Sequence, residues 1–220
     1  DVSGDIGWTL AGRLPKRGAV STERVVPWQQ VEDTWQGWLK PEDYPVVKVS
    51  GEDESQTYLW TANNRIVGGD AMAKIGVGQY ELGARGWLIE QDLKAQNIFT
   101  EKDMARLGLN HRAVMLESWQ AYLVDLLQAN KNITDEEREA LALIKGWSAK
   151  ASIDDAGYTL VKKFRMEFQQ SLNQLLIARL DAEGLLSADF DRESLWLFSR
   201  QSEGAFLQLR DQAPKHWLPA

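Results

Sequence analysis

Two adjacent asparagines near the end of the stretch Tyr58–Arg65, Y-L-W-T-A-N-N-R, are the residues best suited to chemistry. An asparagine amide offers two N–H donors and one acceptor, and asparagine tolerates backbone angles that few residues adopt. Thr57–Thr61 is rich in β-branched, aromatic and large apolar residues, which favours a strand before the pair. An Asn at a strand end can direct an N–H at developing negative charge, as an oxyanion hole requires. Taken alone, the pair favours an ordinary turn.

Several other functions find little support in the sequence. The chain has no cysteine, and its two histidines, His111 and His216, stand in a predicted helix and in the C-terminal tail, which disfavours a triad. No H-E-x-x-H motif, P-loop or dinucleotide-binding glycine pattern is present. The net charge of −7 and the absence of a basic stripe argue against a nucleic-acid partner. No apolar run approaches the roughly 20 residues that span a bilayer.

The first 80 residues are predicted to form a β-rich segment. Residues 1–65 contain four of the six prolines, and short apolar runs there alternate with turn residues. The predicted strands are Ile6–Leu10, Val25–Val26 and Val46–Val49. The polar stretch Ser50–Gln56 predicts a turn that leads to the strand beginning at Thr57. So few strands do not complete a sheet, and we expect their edges to pair with segments outside this sequence.

Residues 81–220 are predicted to form a helical domain, because the apolar spacing becomes helical from Glu81. Thr100 and Thr134 each begin a capping box, and Asp154 or Asp155 can cap a long helix that ends at Gly184. Further helices are predicted over 191–198 and 200–212. The fold class is therefore mainly α (α+β), with domains at 1–80 and 81–220.

The segments on both sides of the asparagines form an ordered series. They are G-D-I-G-W from Gly4, G-R-L-P-K-R from Gly12, W-Q-G-W from Trp35, P-E-D-Y-P from Pro41, R-I-V-G-G-D from Arg65 and G-A-R from Gly83. In this order they resemble the middle of the β subunit of the penicillin acylase (penicillin amidase) family. Its members are N-terminal nucleophile hydrolases with an αββα fold, and the resemblance covers essentially the whole chain.

The resemblance implies a mechanism and three site residues. The family's nucleophile is the hydroxyl of an N-terminal Ser, its own α-amine is the general base, and an Asn amide helps to hold the oxyanion. Matching the T-A-N pattern places that Asn at Asn63, or at Asn64 if the register shifts by one. Arg85 matches an arginine that orients this site, although it is equally an ordinary helix-start arginine.

Asp70 lies near an acidic position that helps to bind a structural calcium in some members of the family. Its context, Gly69-Asp70-Ala71, is less acidic than the family pattern, and an aspartate after a glycine is usually a turn residue. Calcium is therefore a possible structural ion here, and no cofactor is implied for the chemistry itself.

Asp1 departs from the family, because it cannot be an amine-activated nucleophile. The resemblance thus implies an internal fragment, inactive alone, whose partners are the remainder of the β subunit, the α subunit and a small N-acyl amide substrate. Leu109–Trp119 and Gly146–Tyr158 look more like the branch of acyl-homoserine-lactone and long-chain acylases than like phenylacetyl-specific members. Family members are exported, which implies a periplasmic or secreted protein.

The alternative function is a non-catalytic helical interaction module that binds an apolar ligand or a protein partner. Its binding groups would be exposed tryptophans, of which the chain has ten in all. Tryptophan is more often a core residue, and we expect that position for most of them. In this alternative Asn63 and Arg85 are structural.

Overall fold

The computed structural model describes residues 2, 4–18, 27–30, 35–50, 57–76, 80–192, 196–198 and 201–213. The chain forms two compact units, Asp1–Asn97 and Ile98–Ala220. Helices predominate, and the sheets are small and antiparallel, so the predicted fold class is confirmed. The predicted domain boundary, between 1–80 and 81–220, marks the change from strands to helices and not the division into compact units. The two domains stay a prediction.

Four short strands lie in the described part of the first unit: β1 (Ile6–Thr9), β2 (Pro15–Arg17), β3 (Trp35–Trp38) and β4 (Val46–Val49). β1 pairs antiparallel with β4, with Ile6 opposite Val49, and β2 pairs antiparallel with β3. The predicted strands at 6–10 and 46–49 are therefore confirmed. The predicted strand at 25–26 lies outside the described residues, and so does the predicted turn Ser50–Gln56 apart from Ser50.

The predicted strand over Thr57–Thr61 is wrong, because this segment joins no ladder among the described residues. High β propensity reflects how well a side chain fits a pleated surface and does not create a partner edge. The segment is instead held by its side chains. The Tyr58 hydroxyl donates to the Gln96 carbonyl at 3.1 Å, and Ala62 is buried.

The described part of the first unit also contains two α-helices, α1 (Gly69–Ile75) and α2 (Ala84–Lys94), and two short 3-10 helices, Trp28–Gln30 and Pro41–Asp43. α2 was expected from the apolar spacing after Glu81, and it buries Leu88 and Leu93. α1 was not predicted, since it has only seven residues and no long apolar stripe.

The second unit contains α3 (Glu101–Gly108), α4 (Glu117–Ala129), α5 (Asp135–Gly146), α6 (Ala156–Ala182) and α7 (Glu203–Gln212). Both predicted capping boxes are present, at the starts of α3 and α5. The side chain of Asp155 caps α6 by accepting from the Gly157 N–H at 3.1 Å. Gly184 follows the end of this helix with φ +69°, a conformation that favours glycine.

The core of the second unit is built around Trp119 and Val161, both 0 % exposed. The other buried members of this core come from α4, α5, α7 and their approaches: Leu116, Leu123, Ile144, Trp147 and Phe206. No helix in the described residues is long and apolar enough to cross a membrane.

Two further expectations are wrong. The predicted helix over 191–198 is absent at its described positions, 191–192 and 196–198. Most described tryptophans are not core residues: only Trp119 and Trp147 are buried, whereas the side chains at positions 28, 35, 38, 87 and 196 are exposed. Spacing along the chain does not reveal which apolar faces other segments cover.

Candidate active site

The candidate site is centred on the turn Ala62–Asn64. Asn63 has φ +61°, in the left-handed region that asparagine tolerates better than most residues. Asn64 closes the turn from within, since its Oδ1 accepts from the Ala62 N–H at 2.9 Å and its Nδ2 donates to the Arg65 carbonyl at 3.1 Å. The Glu81 N–H donates to the Asn63 carbonyl at 2.8 Å, which ties the turn to the start of the next segment.

Arg85, in the first turn of α2, orients the Asn63 side chain. Its Nη2 donates to Asn63 Oδ1 at 2.8 Å and to the Ala62 carbonyl at 3.2 Å. A guanidinium can only donate, so the amide oxygen of Asn63 must face it and Nδ2 must face away. The bond to the oxygen also polarises the amide and makes its N–H groups better donors.

Asn63 and Asn64 therefore differ in what they offer. Both ends of the Asn64 amide are engaged within its own turn, and Asn64 is half-buried. Asn63 is exposed, and among the residues that the structure describes no hydrogen bond occupies its Nδ2. The arrangement leaves Asn63 as the amide with N–H groups free to meet a ligand.

Gly86, the residue after Arg85, contacts Asn64 directly. A Cβ built on Gly86 would lie 2.7 Å from Asn64 Oδ1, which is closer than van der Waals contact allows. The first turn of α2 thus holds the asparagine turn at two consecutive positions. The sequence analysis missed Gly86, although a glycine inside the helical pattern of α2 is a recognised signal for close packing.

A small cavity adjoins the turn on the Asn64 side. Its volume is about 120 Å³, and polar and apolar groups both line it, from Val47, Leu59, Trp60, Asn64, Arg65 and Ile66. Val47 comes from β4, so the β1–β4 pair supports one wall.

Asp70 lies in the first turn of α1 and is exposed. No group of three or more histidine, aspartate or glutamate side chains able to hold a metal occurs in the described part of the chain. Calcium binding through Asp70 stays a prediction.

Among the described residues, the titratable groups with shifted pKa values lie in the second unit, at helix ends and in surface ion pairs. Hydrogen bonds from Thr100 lower the pKa of Asp103, and a hydrogen bond from Arg192 lowers the pKa of Asp181. His111 is exposed in the same unit, with Nδ1 3.3 Å from the Leu109 carbonyl oxygen. These groups stabilise local structure and form no catalytic cluster in the described residues.

The family model described as penicillin amidase matches residues 1–218. The chain belongs to the penicillin amidase family. No curated protein matches the chain. Membership of the penicillin amidase family supports a hydrolase that acts on amide bonds. Of the predicted site residues, the structure brings Asn63 and Arg85 into contact and places Asp70 separately, on α1.

Proposed function

We propose that the protein carrying this sequence cleaves an acyl group from an amide nitrogen through an acyl-enzyme, and that Asn63 donates to the oxyanion. The observation that supports this role is the hydrogen bond from Arg85 to Asn63 Oδ1, because it leaves the Asn63 N–H groups facing away from the guanidinium. Donors fixed before the reaction stabilise the developing charge without reorganising, which is usually a large part of such catalysis.

The reaction would proceed in two steps. The hydroxyl of an N-terminal Ser attacks the amide carbonyl, its proton passes to the Ser α-amine, and the carbonyl oxygen becomes an oxyanion that Asn63 Nδ2 stabilises. The C–N bond then breaks, and the leaving amine takes the proton. Water attacks the ester in the same way and releases the acid. An α-amine titrates near about pH 8, so it can accept a proton without help from a histidine.

We also propose that these 220 residues alone do not turn over an N-acyl substrate. In the mechanism proposed above, the nucleophile is an N-terminal Ser whose own α-amine is the base. The remainder of the β subunit and the α subunit would supply the nucleophile and a second oxyanion donor. Hydrolysis of any N-acyl amide by the pure 220-residue chain would contradict this proposal.

For the substrate, we propose a fatty-acyl amide of the acyl-homoserine-lactone or long-chain type. The two stretches that favour this branch lie side by side, since the Ala113 N–H donates to the Ala149 carbonyl at 2.8 Å and the Ala151 N–H donates to the His111 carbonyl at 2.9 Å. They therefore belong to one structural feature. A higher kcat/KM for phenylacetyl amides than for fatty-acyl amides would contradict the proposal. By the same resemblance, the protein would be periplasmic or secreted.

The test of the Asn63 role is Asn63→Gly in the full-length protein. Glycine keeps the left-handed backbone without strain and removes the whole side chain, including the amide. We expect kcat/KM to fall several hundred-fold, the usual cost of about 3–4 kcal/mol for losing one oxyanion donor, with unchanged KM. Asn132→Gly, in the exposed loop before α5, is the matched control and should keep full activity.

The interaction module remains the second candidate, and the exposed tryptophans favour it. Trp35 and Trp38 on β3 contact edge to face, with ring centroids 5.1 Å apart, and the Arg13 guanidinium lies 5.8 Å from the Trp38 ring. In this case Asn63→Gly leaves any turnover unchanged, and Trp38→Ala reduces binding of an apolar ligand. A large activity loss in Asn63→Gly would reject this candidate.

A further inference from the structure

Gly86 and Asn64 hold the Asn63 turn by a close contact that leaves no room for a side chain on the helix. We infer that both are positioning residues for the hydrolytic reaction, and that they act through Asn63. The inference rests on the proposed function, because it assigns Asn63 as the oxyanion donor. It concerns how the protein keeps that donor in place.

The contact begins at the amide of Asn64. Its Oδ1 accepts from the Ala62 N–H at 2.9 Å, and its Nδ2 donates to the Arg65 carbonyl at 3.1 Å. These two bonds link the residue before Asn63 to the residue after Asn64. They fix the direction in which the Asn63 side chain leaves the turn, since the backbone on both sides of it is tied to one amide group.

Gly86 keeps that amide in position from the helix side. Gly86 is buried in the first turn of α2, and an added Cβ would lie 2.7 Å from Asn64 Oδ1 and 2.9 Å from its Cγ. All three atoms nearest to that Cβ belong to the Asn64 amide. A side chain at Gly86 would therefore have to displace the Asn64 amide or push α2 away from the turn.

The position of Gly86 also affects the contact between Arg85 and Asn63. The same helical turn carries Arg85, whose Nη2 bonds to Asn63 Oδ1 at 2.8 Å. Arg85 orients the Asn63 amide, and Gly86 sets how close α2 comes to the turn. The distance between guanidinium and amide thus depends on the residue at position 86 being glycine.

The experiment uses Gly86→Ala in the full-length protein, with a fatty-acyl amide as substrate. We expect kcat to fall about 10- to 100-fold, since a displacement of roughly 1 Å in a catalytic group has that effect. KM should not change, because the oxyanion contact forms only in the transition state. Gly204→Ala is the matched control: Gly204 also lies in the first turn of a helix, and a Cβ there meets nothing within 4 Å.

Coupling to Asn63 separates positioning from a general structural effect. In an Asn63→Gly background, Gly86→Ala should cost no further activity, because the donor that it positions is already gone. Asn64→Ala should show the same loss and the same coupling, and it serves if Gly86→Ala does not fold. Full activity in both variants, or losses that multiply with that of Asn63→Gly, would overturn the inference. Full activity of Asn63→Gly itself would instead contradict the proposed function.

Discussion

At the scale of single residues, the proposed role of Asn63 depends on which atom of its side-chain amide is free. Arg85 bonds to Oδ1, so the catalytic capacity of this side chain lies in its N–H groups and not in its oxygen. If Asn63 had only a structural role, its side chain would contribute through Oδ1 alone, which accepts the hydrogen bond from Arg85. A substitution that keeps Oδ1 of Asn63 and removes its N–H groups therefore distinguishes a structural role from a catalytic one.

Asn63→Asp keeps the shape and the contact with Arg85 but replaces both N–H groups by a charged oxygen. We expect unchanged or greater stability, because the guanidinium now faces a carboxylate, together with a loss of activity of several hundred-fold or more. Urea denaturation and kcat/KM, measured on the same preparation of full-length protein, check the two parts. Retained activity would mean that the Asn63 N–H groups have no catalytic role.

Arg85→Lys keeps a positive charge and removes the planar fork that bonds to Asn63 Oδ1 and the Ala62 carbonyl. We expect a fall in kcat of about 10- to 100-fold from the misplaced amide, smaller than that of Asn63→Gly. Steady-state kinetics at saturating substrate would show it. Arg106→Lys, at an exposed position on α3, is the control for an arginine substitution without this contact.

Some residues of the candidate site could be predicted from the sequence. The T-A-N pattern and the G-A-R segment led to Asn63 and Arg85, which the structure places in contact although they lie 22 positions apart. The roles of Asn64 and Gly86 could not be predicted, because they arise from a contact across the same separation that no local pattern encodes. The left-handed backbone at Asn63 agrees with the known tolerance of asparagine, but the sequence does not say which of two adjacent asparagines adopts it.

At the scale of elements, helix ends were the most predictable features. A capping box needs groups only three residues apart, so Thr100–Asp103 and Thr134–Glu137 follow from sequence alone. Strand pairing was less predictable: Thr9 pairs with Val46 across a long separation, and the apolar segment 57–61 forms no strand among the described residues. Pairing depends on which edges meet, and propensity carries no information about that.

The capping box of α3 should stabilise the fold in a pH-dependent way. Hydrogen bonds from Thr100 lower the pKa of Asp103 below 3.8 in the folded state. The unfolded chain therefore binds this proton more readily, so the stabilisation is present above about pH 4 and is lost as pH falls through the folded pKa.

Asp103→Asn tests this dependence, because the variant cannot be deprotonated. Wild type should be the more stable protein at neutral pH, and the difference should disappear in strong acid. Urea denaturation over a series of pH values measures it, with Asp125→Asn as the control for losing one exposed carboxylate. A difference that stays constant with pH would contradict the assignment.

α7 is anchored by a buried carboxylate. Glu203 Oε1 accepts from Trp119 Nε1 at 2.6 Å, and Arg165 Nε donates to both oxygens of Glu203 at 3.1 and 3.0 Å. The Glu203 side chain is only 6 % exposed and that of Arg165 19 %. The pair thus joins α7 to α4 and α6 through the centre of the second unit.

Glu203→Gln should destabilise the second unit by about 3–5 kcal/mol, since it leaves the Arg165 charge without its partner in a poorly solvated place. The matched control is Glu183→Gln, which breaks the exposed pair with Arg179 and should cost less than about 1 kcal/mol. Urea denaturation followed by circular dichroism compares the two. Equal losses would show that the buried pair is no more important than a surface pair.

At the scale of the whole molecule, the fold class and the family were predictable and the surface was not. The ordered series of short segments led to the penicillin amidase family, and the family model matches residues 1–218. Most tryptophans were expected in the core, yet five of those that the structure describes are exposed. The expectation failed because a sequence does not reveal which faces of its elements are covered. For the whole protein, we propose that Asn63 stabilises the tetrahedral oxyanion of amide hydrolysis.

The most direct test compares two inhibitors of the full-length protein and its Asn63→Gly variant. An alkyl boronic acid forms a tetrahedral adduct with a serine nucleophile, whereas the free fatty acid is a planar product. We predict that the inhibition constant of the boronic acid rises several hundred-fold in the variant, in step with the fall in kcat/KM, while that of the fatty acid does not change. An unchanged inhibition constant for the boronic acid would contradict the account.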